Sequence, residues 1–186
     1  MKQSGFKYPN KYKKYNLPMK KRTFTKQYRP YLYGAYGSNL NFSQMQLRCP
    51  LAKQIGVVRL EDYELVFRGV ADVEHSIGSE VMLGVWQITD QCEAALDSYE
   101  GFPNLYGKKM LDINDSNFEA LYDRDYNDEI EDHKVMIYQM TDQTQVYRPA
   151  QRYLLSIAKG CADFGIPKDW LEAALRKSYT EETPAV

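Results

Sequence analysis

Histidine is nearly missing from this chain: His75 and His133 are the only two among 186 residues, and each sits beside an acidic neighbour. A nucleophilic triad built on imidazole, or a metal site dominated by it, would have to be assembled from almost nothing. Both histidines therefore read as surface or loop residues without an assigned role. Cysteine is scarce and odd in number. Cys49, Cys92 and Cys161 lie far apart with no Cys-x-x-Cys pair for zinc, so they read as reduced thiols on apolar faces. No hydrophobic run approaches the length of a membrane span, and the basic N-terminus lacks the apolar stretch of a secretory signal. The expectation is a cytoplasmic protein without membrane attachment. Internal repeats are absent as well.

Acidic residues are missing from one region altogether. Residues 1–29 carry ten Lys or Arg and no Asp or Glu, which leaves the remainder with 14 basic against 25 acidic residues. Such a polar, lysine-rich segment cannot bury enough surface to fold alone, so residues 1–29 read as a basic arm, 30–180 as one domain and 181–186 as a short tail. Lysines interleaved with Tyr8, Tyr12 and Tyr15 suit a sequence-tolerant nucleic-acid arm, where rings stack on bases and ammonium groups neutralise phosphates. They equally suit an arm folded back on its own acidic domain or on a partner subunit. Nine carboxylates fall between Asp112 and Asp132, without the spacing or central glycine of an EF-hand, and read as a solvated hairpin or loop insertion.

What is present is a pattern of strands, a glycine turn and a helix ending on a carboxylate. Tyr31 to Tyr36 reads as a strand that runs into Tyr36-Gly37-Ser38-Asn39-Leu40, a tight turn able to converge backbone N–H groups on an oxyanion or carboxylate. Asn41 can cap a short helix through Leu47, ended by Cys49-Pro50. Val57 to Leu60, Tyr63 to Phe67 and Val81 to Ile88 read as strands, rich in β-branched and aromatic residues. Asp90 and Glu93 have the form of a capping box, and Cys92, Ala95, Leu96 and Tyr99 recur at helical spacing until Gly101 and Pro103 close the helix. Glu100 then falls in the last turn, one turn beyond Leu96. Burial and the negative end of the helix dipole both disfavour its ionised form, so its pKa is expected to rise toward neutrality. Strands near Lys108 to Ile113 and over Val135 to Met140 follow. Two amphipathic helices come after Pro149 and Pro167. Strands first and helices last define an α+β class.

The turn and the carboxylate, in this order and spacing, resemble the gamma-glutamylcyclotransferase family and the avirulence-induced-gene-like proteins that share its fold. The resemblance runs over roughly residues 31 to 178, through the Leu65 to Val73 stretch, the strand entering the Glu100 helix and the C-terminal helices. It implies a small mixed β-barrel flanked by helices, with no cofactor. It also implies an enzyme of the acyltransferase or cyclising-lyase type that releases 5-oxoproline and a free amine from a small-molecule gamma-glutamyl substrate. In that scheme Glu100 is the general acid/base. Tyr36, Gly37, Ser38, Asn39 and Leu40 hold the glutamyl moiety, and Tyr106 and Tyr153 match pocket tyrosines, both residues also reading as core aromatics with a bonded hydroxyl. The arm and the acidic stretch are additions to the family pattern. The group beyond the γ-amide stays open among amino acids, amines and larger metabolites. A second function class stays open too: a binding or regulatory protein on the same fold, with the arm docking on nucleic acid or an acidic partner.

Overall fold

The computed structural model describes residues 31–113, 117–121, 134–143 and 145–180. The basic arm, the C-terminal tail, His133 and all of the acidic stretch except residues 112–113 and 117–121 lie outside the described residues, and so do the readings placed on them. In chain order the elements are β1 (Tyr31–Ala35), a 3-10 turn (Ser38–Leu40), α1 (Phe42–Arg48), β2 (Lys53–Phe67), β3 (Ala71–Ile88), α2 (Asp90–Glu100), β4 (Tyr106–Asp112), β5 (Phe118–Leu121), β6 (Lys134–Met140), α3 (Gln151–Phe164) and α4 (Asp169–Thr180).

The strands form one mixed sheet in the order β4-β6-β1-β3-β2-β5. β1 is central and pairs parallel with β6 and antiparallel with β3, and the remaining pairings are antiparallel. Among the described residues the outer strands β4 and β5 are not paired with each other, so the α+β fold stands and the word barrel fits only loosely. β1 carries the apolar content a central strand needs, with Leu32, Tyr33 and Ala35 all buried. Gly34 sits where an added Cβ would lie 2.8 Å from Val135 Cγ1, so glycine is what lets β6 cross β1 this closely.

The sequence divides the next region into short strands, but the structure makes them two long ones. Val57 to Leu60 and Tyr63 to Phe67 belong to a single β2, interrupted only by an irregularity at Asp62, whose φ is +59°. Opposite Asp62, β3 accommodates residues 76–79, with Gly78 at φ +79° donating its N–H to Asp62 Oδ1 at 2.8 Å. Polar residues there mark a solvent-exposed bulge within the ribbon, with pairing resumed on both sides, rather than a chain break. β3 likewise starts ten residues earlier than Val81. β5 lies within the stretch read as a solvated hairpin or loop insertion, paired with β2 between Gly56 and Val58, and Arg59 Nη2 meets Glu119 at 2.6 Å.

Both C-terminal helices begin after their prolines as the sequence indicates, and α3 reaches the 3-10 turn through Gly160. A Cβ on Gly160 would fall 2.6 Å from Asn41 N and nearer still to Leu40, while one on Gly84 would meet Leu40 Cδ2 at 2.6 Å. Leu40 is thus clamped between β3 and α3, fully buried, and the turn it ends is held from behind by the core. All three cysteines are buried free thiols.

Candidate functional site

The turn after β1 is over-determined by hydrogen bonds. Leu40 N–H donates to Gly37 O at 3.0 Å and Asn41 N–H to Ser38 O at 3.0 Å, closing the 3-10 turn, and Trp86 Nε1 donates to Asn39 O at 3.1 Å from β3. Gly37 has φ −110°, so left-handed backbone is not why glycine stands there. A Cβ at that position would lie 3.0 Å from Tyr153 OH and 3.3 Å from Ala71 Cβ; the glycine is required by close approach. Asn41 caps α1 as its type suggests, accepting from Gln44 N at 3.3 Å.

α2 delivers the carboxylate. Its N-cap is Thr89, whose Oγ1 accepts from Cys92 N, so Asp90 is the first helical residue and the Asp90–Glu93 capping box does not form. Glu93 instead bonds outward: Lys108 Nζ donates to its Oε1 at 2.5 Å and Tyr31 OH donates to Oε2. At the other end Gly101 adopts φ +65° and closes the helix, as a C-terminal glycine does. Leu96 is fully buried, and Glu100 follows it onto the protein side.

There Asn39 Nδ2 donates to Glu100 Oε1 at 2.8 Å and to Tyr33 OH at 2.9 Å. Removal from water pushes the Glu100 carboxyl up to about 7, against the opposing pull of the Arg48 guanidinium and the Asn39 hydrogen bond. Ser38 Oγ lies 3.0 Å from Tyr99 OH, one residue before the carboxylate. Tyr153 OH accepts from Ala71 N at 3.1 Å, and Tyr106 OH donates to Ala71 O at 2.7 Å, so the two phenols hold the same short segment at the start of β3. Burial raises both phenols, Tyr153 to about 12. Both are therefore neutral at physiological pH.

The structure thus gathers Glu100, Ser38, Asn39, Gly37 and Tyr153 around one turn, with Tyr106 joined through Ala71. Two of the sequence-predicted residues face elsewhere. Leu40 points its side chain into the core and uses its N–H within the turn, and the Tyr36 hydroxyl donates to Tyr138 O. Three neighbours that the sequence reading passed over belong to the cluster: Tyr33, Tyr99 and Arg48. Arg48 Nη1 donates to Asn39 Oδ1 at 2.7 Å and its Cζ stacks 3.6 Å above the Tyr99 ring. Its spacing of nine residues from Asn39, across a capped seven-residue helix, was the available signal. His75 is exposed on the β2–β3 ribbon, edge-on to Tyr63 and remote from this cluster in the fold. No group of three or more His, Cys, Asp or Glu among the described residues could hold a metal ion. No described helix is long and apolar enough to cross a membrane.

No family model matches the chain. It is 28% identical over 153 residues to a Bos taurus protein named gamma-glutamylcyclotransferase, a match spanning 75% of this chain and 74% of the bovine one. Over 83 residues it is 36% identical to the gamma-glutamylcyclotransferase of Mus musculus, across 38% of this chain and 44% of that one. A solved structure named gamma-glutamyl cyclotransferase superposes at a TM-score of 0.62, with 24% identity, over 78% of this chain and 86% of that chain. The α+β fold is similar to that of the solved gamma-glutamyl cyclotransferase, and the sequence is similar to that of proteins named gamma-glutamylcyclotransferase. In sequence as in fold, this chain is gamma-glutamylcyclotransferase-like.

Proposed function

We propose that the protein is a gamma-glutamyl cyclotransferase in which Glu100 is the general acid/base. The observation that supports this most is the placement of a single carboxylate with a near-neutral pKa at the end of α2, bonded to the Asn39 side chain of the glycine turn. A γ-glutamyl compound carries its own nucleophile, because its α-amine can reach the γ-carbonyl and close a five-membered ring. The protein has to hold the chain folded, take a proton from the α-ammonium, stabilise the oxyanion that forms, and protonate the departing nitrogen. A carboxylate that titrates near 7 performs both proton transfers in turn. The C–N bond of the γ-amide breaks as Glu100 returns the proton, and 5-oxoproline and a free amine leave.

The glutamyl moiety is placed in this scheme against the Gly37–Asn39 segment and the Ser38 hydroxyl. The N–H groups of Leu40 and Asn41 are already committed inside the turn, so the donors left to the substrate are those at its leading edge. Tyr106 and Tyr153 serve by holding the Ala71 segment that closes this side of the cluster. Incubating the full chain with a panel of γ-glutamyl amino acids and γ-glutamyl amines, and measuring 5-oxoproline release, tests the proposal. Release that is lost in Glu100→Gln is the expected result. Absence of release across the panel overturns it.

A further inference from the structure

Arg48 is a cation beside the candidate site that the acid/base scheme above does not use. It extends from the last residue of α1, where Gln44 Oε1, one helical turn earlier, accepts from its Nη2 at 2.7 Å. Gln44 is itself held by α3, its Nε2 donating to Ser156 Oγ at 2.5 Å. The guanidinium is therefore oriented before it meets anything at the site. Its other arm donates to Asn39 Oδ1 at 2.7 Å, and its plane covers Tyr99, whose hydroxyl lies 3.0 Å from Ser38 Oγ.

An arginine has donors only, whereas an asparagine amide presents an acceptor at one end and donors at the other. Bonded to Arg48, the amide of Asn39 can offer its Oδ1 only to the guanidinium. Its Nδ2 must then face Tyr33 and Glu100. With the amide turned over, its oxygen would meet the carboxylate and repel it. We infer that Arg48 is the positioning residue for the Glu100 carboxylate, fixing the Asn39 amide so that it donates to Glu100 and fixing Tyr99 beside Ser38. The inference rests on the cyclotransferase reading for its link to turnover, but not for the state of Glu100 itself.

The other titratable groups around Glu100 are Tyr33 from β1, Tyr36 just beyond it, Tyr106 from β4, Tyr138 from β6, Tyr153 from α3 and Tyr99 on α2 itself. Burial raises the first five phenols, so none of those five charges near neutral pH. Asp72 stands behind Tyr36 and Tyr106 and is paired with Arg68 at 3.1 Å. Arg48 is thus the cation that the structure sets against this carboxylate, and removing it leaves Glu100 buried with less to favour its charge.

The test is a ¹³C NMR titration of the Glu100 carboxyl in the full chain, its signal assigned by its loss in Glu100→Gln. Arg48→Met and Arg48→Gln, verified as folded by circular dichroism, should raise the titration midpoint by about one pH unit or more, and Arg48→Lys should recover part of that change. On a turned-over γ-glutamyl compound, the acid limb of kcat/KM against pH should move upward by the same amount. A midpoint within about 0.3 pH unit of wild type in folded Arg48→Gln, read on the scale above, overturns the inference. Should the wild type release no 5-oxoproline while the midpoint still moves, the cyclotransferase reading falls and the positioning of Glu100 by Arg48 stands.

Discussion

The two ends of α2 present the same residue type to opposite effect. Glu93, in its first turn, and Asp97, one turn later, share Lys108, which reaches Glu93 Oε1 at 2.5 Å and Asp97 Oδ1 at 2.7 Å, while Tyr31 and Tyr138 donate their hydroxyls to the same two carboxylates. Lys108 is held above its ordinary pKa by those hydrogen bonds, even though partial burial acts the other way. This pair of carboxylates fastens the helix to β1, β4 and β6. At its close, Glu100 has no cation in hydrogen-bond contact among the described residues and leans on an amide donor, Asn39. Burial dominates there and the carboxyl rises to about 7. A carboxylate with a direct cationic partner joins elements together. One that is buried with only a relayed partner becomes an exchangeable proton site.

The largest expected effect falls at the Glu100 end. Glu100→Gln retains the side-chain volume and the bond from Asn39 but removes the proton acceptor, so kcat for 5-oxoproline release should fall by about 10²–10⁴ with substrate binding little changed. A Gln variant with full turnover would erase the functional half of the comparison.

The same carboxyl should appear in the pH dependence of folding. Its folded-state pKa, about 7, lies above the ordinary value of 4.5, so the folded state holds this proton more tightly than the unfolded chain does. The corresponding stability is fully present below the ordinary value and is lost as pH rises through about 7. Relative to Glu100→Gln, the wild type should therefore lose up to about 3 kcal/mol of unfolding free energy between pH 4.5 and 8, measured by urea denaturation. Equal pH slopes in the two proteins would mean that Glu100 is solvated in solution.

Between these ends in magnitude lies the support behind the turn. Gly160→Ala places a methyl against Leu40 and the Asn41 backbone, where neither β3 nor α3 can give way easily. The expected cost is about 1–3 kcal/mol in thermal or chemical denaturation. Because the displaced segment carries Asn39, the Asn39–Glu100 contact should loosen while the Lys108 cluster stays intact. NMR shift changes concentrated around Lys108 would contradict that separation.

Much of this was legible in the sequence, and the parts that were not have physical reasons. The strand–turn unit at Tyr31 to Leu40 and the helix ending at Glu100-Gly101 rest on local chemistry, namely apolar periodicity and a glycine stop, and the structure has both. The split of β2 at Asp62 misled because strand pairing there is sustained by the partner strand and not by local apolar pattern. β5 is a four-residue strand among carboxylates whose pairing comes from β2. Thr89 took the capping role from Asp90 since either hydroxyl or carboxylate satisfies the same orphan N–H groups, and only the exit direction of β3 decides between them. Arg48 was invisible for another reason: its significance depends on a relay through Asn39 that exists only once α1 has folded back beside the turn.

The smallest effect belongs to the fastening end, and it decides whether that end is only a fastening. Glu93→Gln removes the charge, keeps one acceptor oxygen for Lys108, and puts an amide donor where the second oxygen accepted from Tyr31, whose hydroxyl can turn to accept. Glu93 and Lys108 retain 29% and 21% side-chain exposure, so solvent screens part of the attraction, and Asp97 continues to hold Lys108. The loss should be about 1 kcal/mol in unfolding free energy, well below the full value of a buried charged pair. Turnover should remain within about twofold of wild type, because Glu93 itself precedes Glu100 by two helical turns, about 10 Å along the axis at 1.5 Å per residue. If Glu93→Gln instead lowered kcat as far as Glu100→Gln does while costing no stability, the division of labour along α2 would be wrong and Glu93 would have to be counted among the proton-transfer groups.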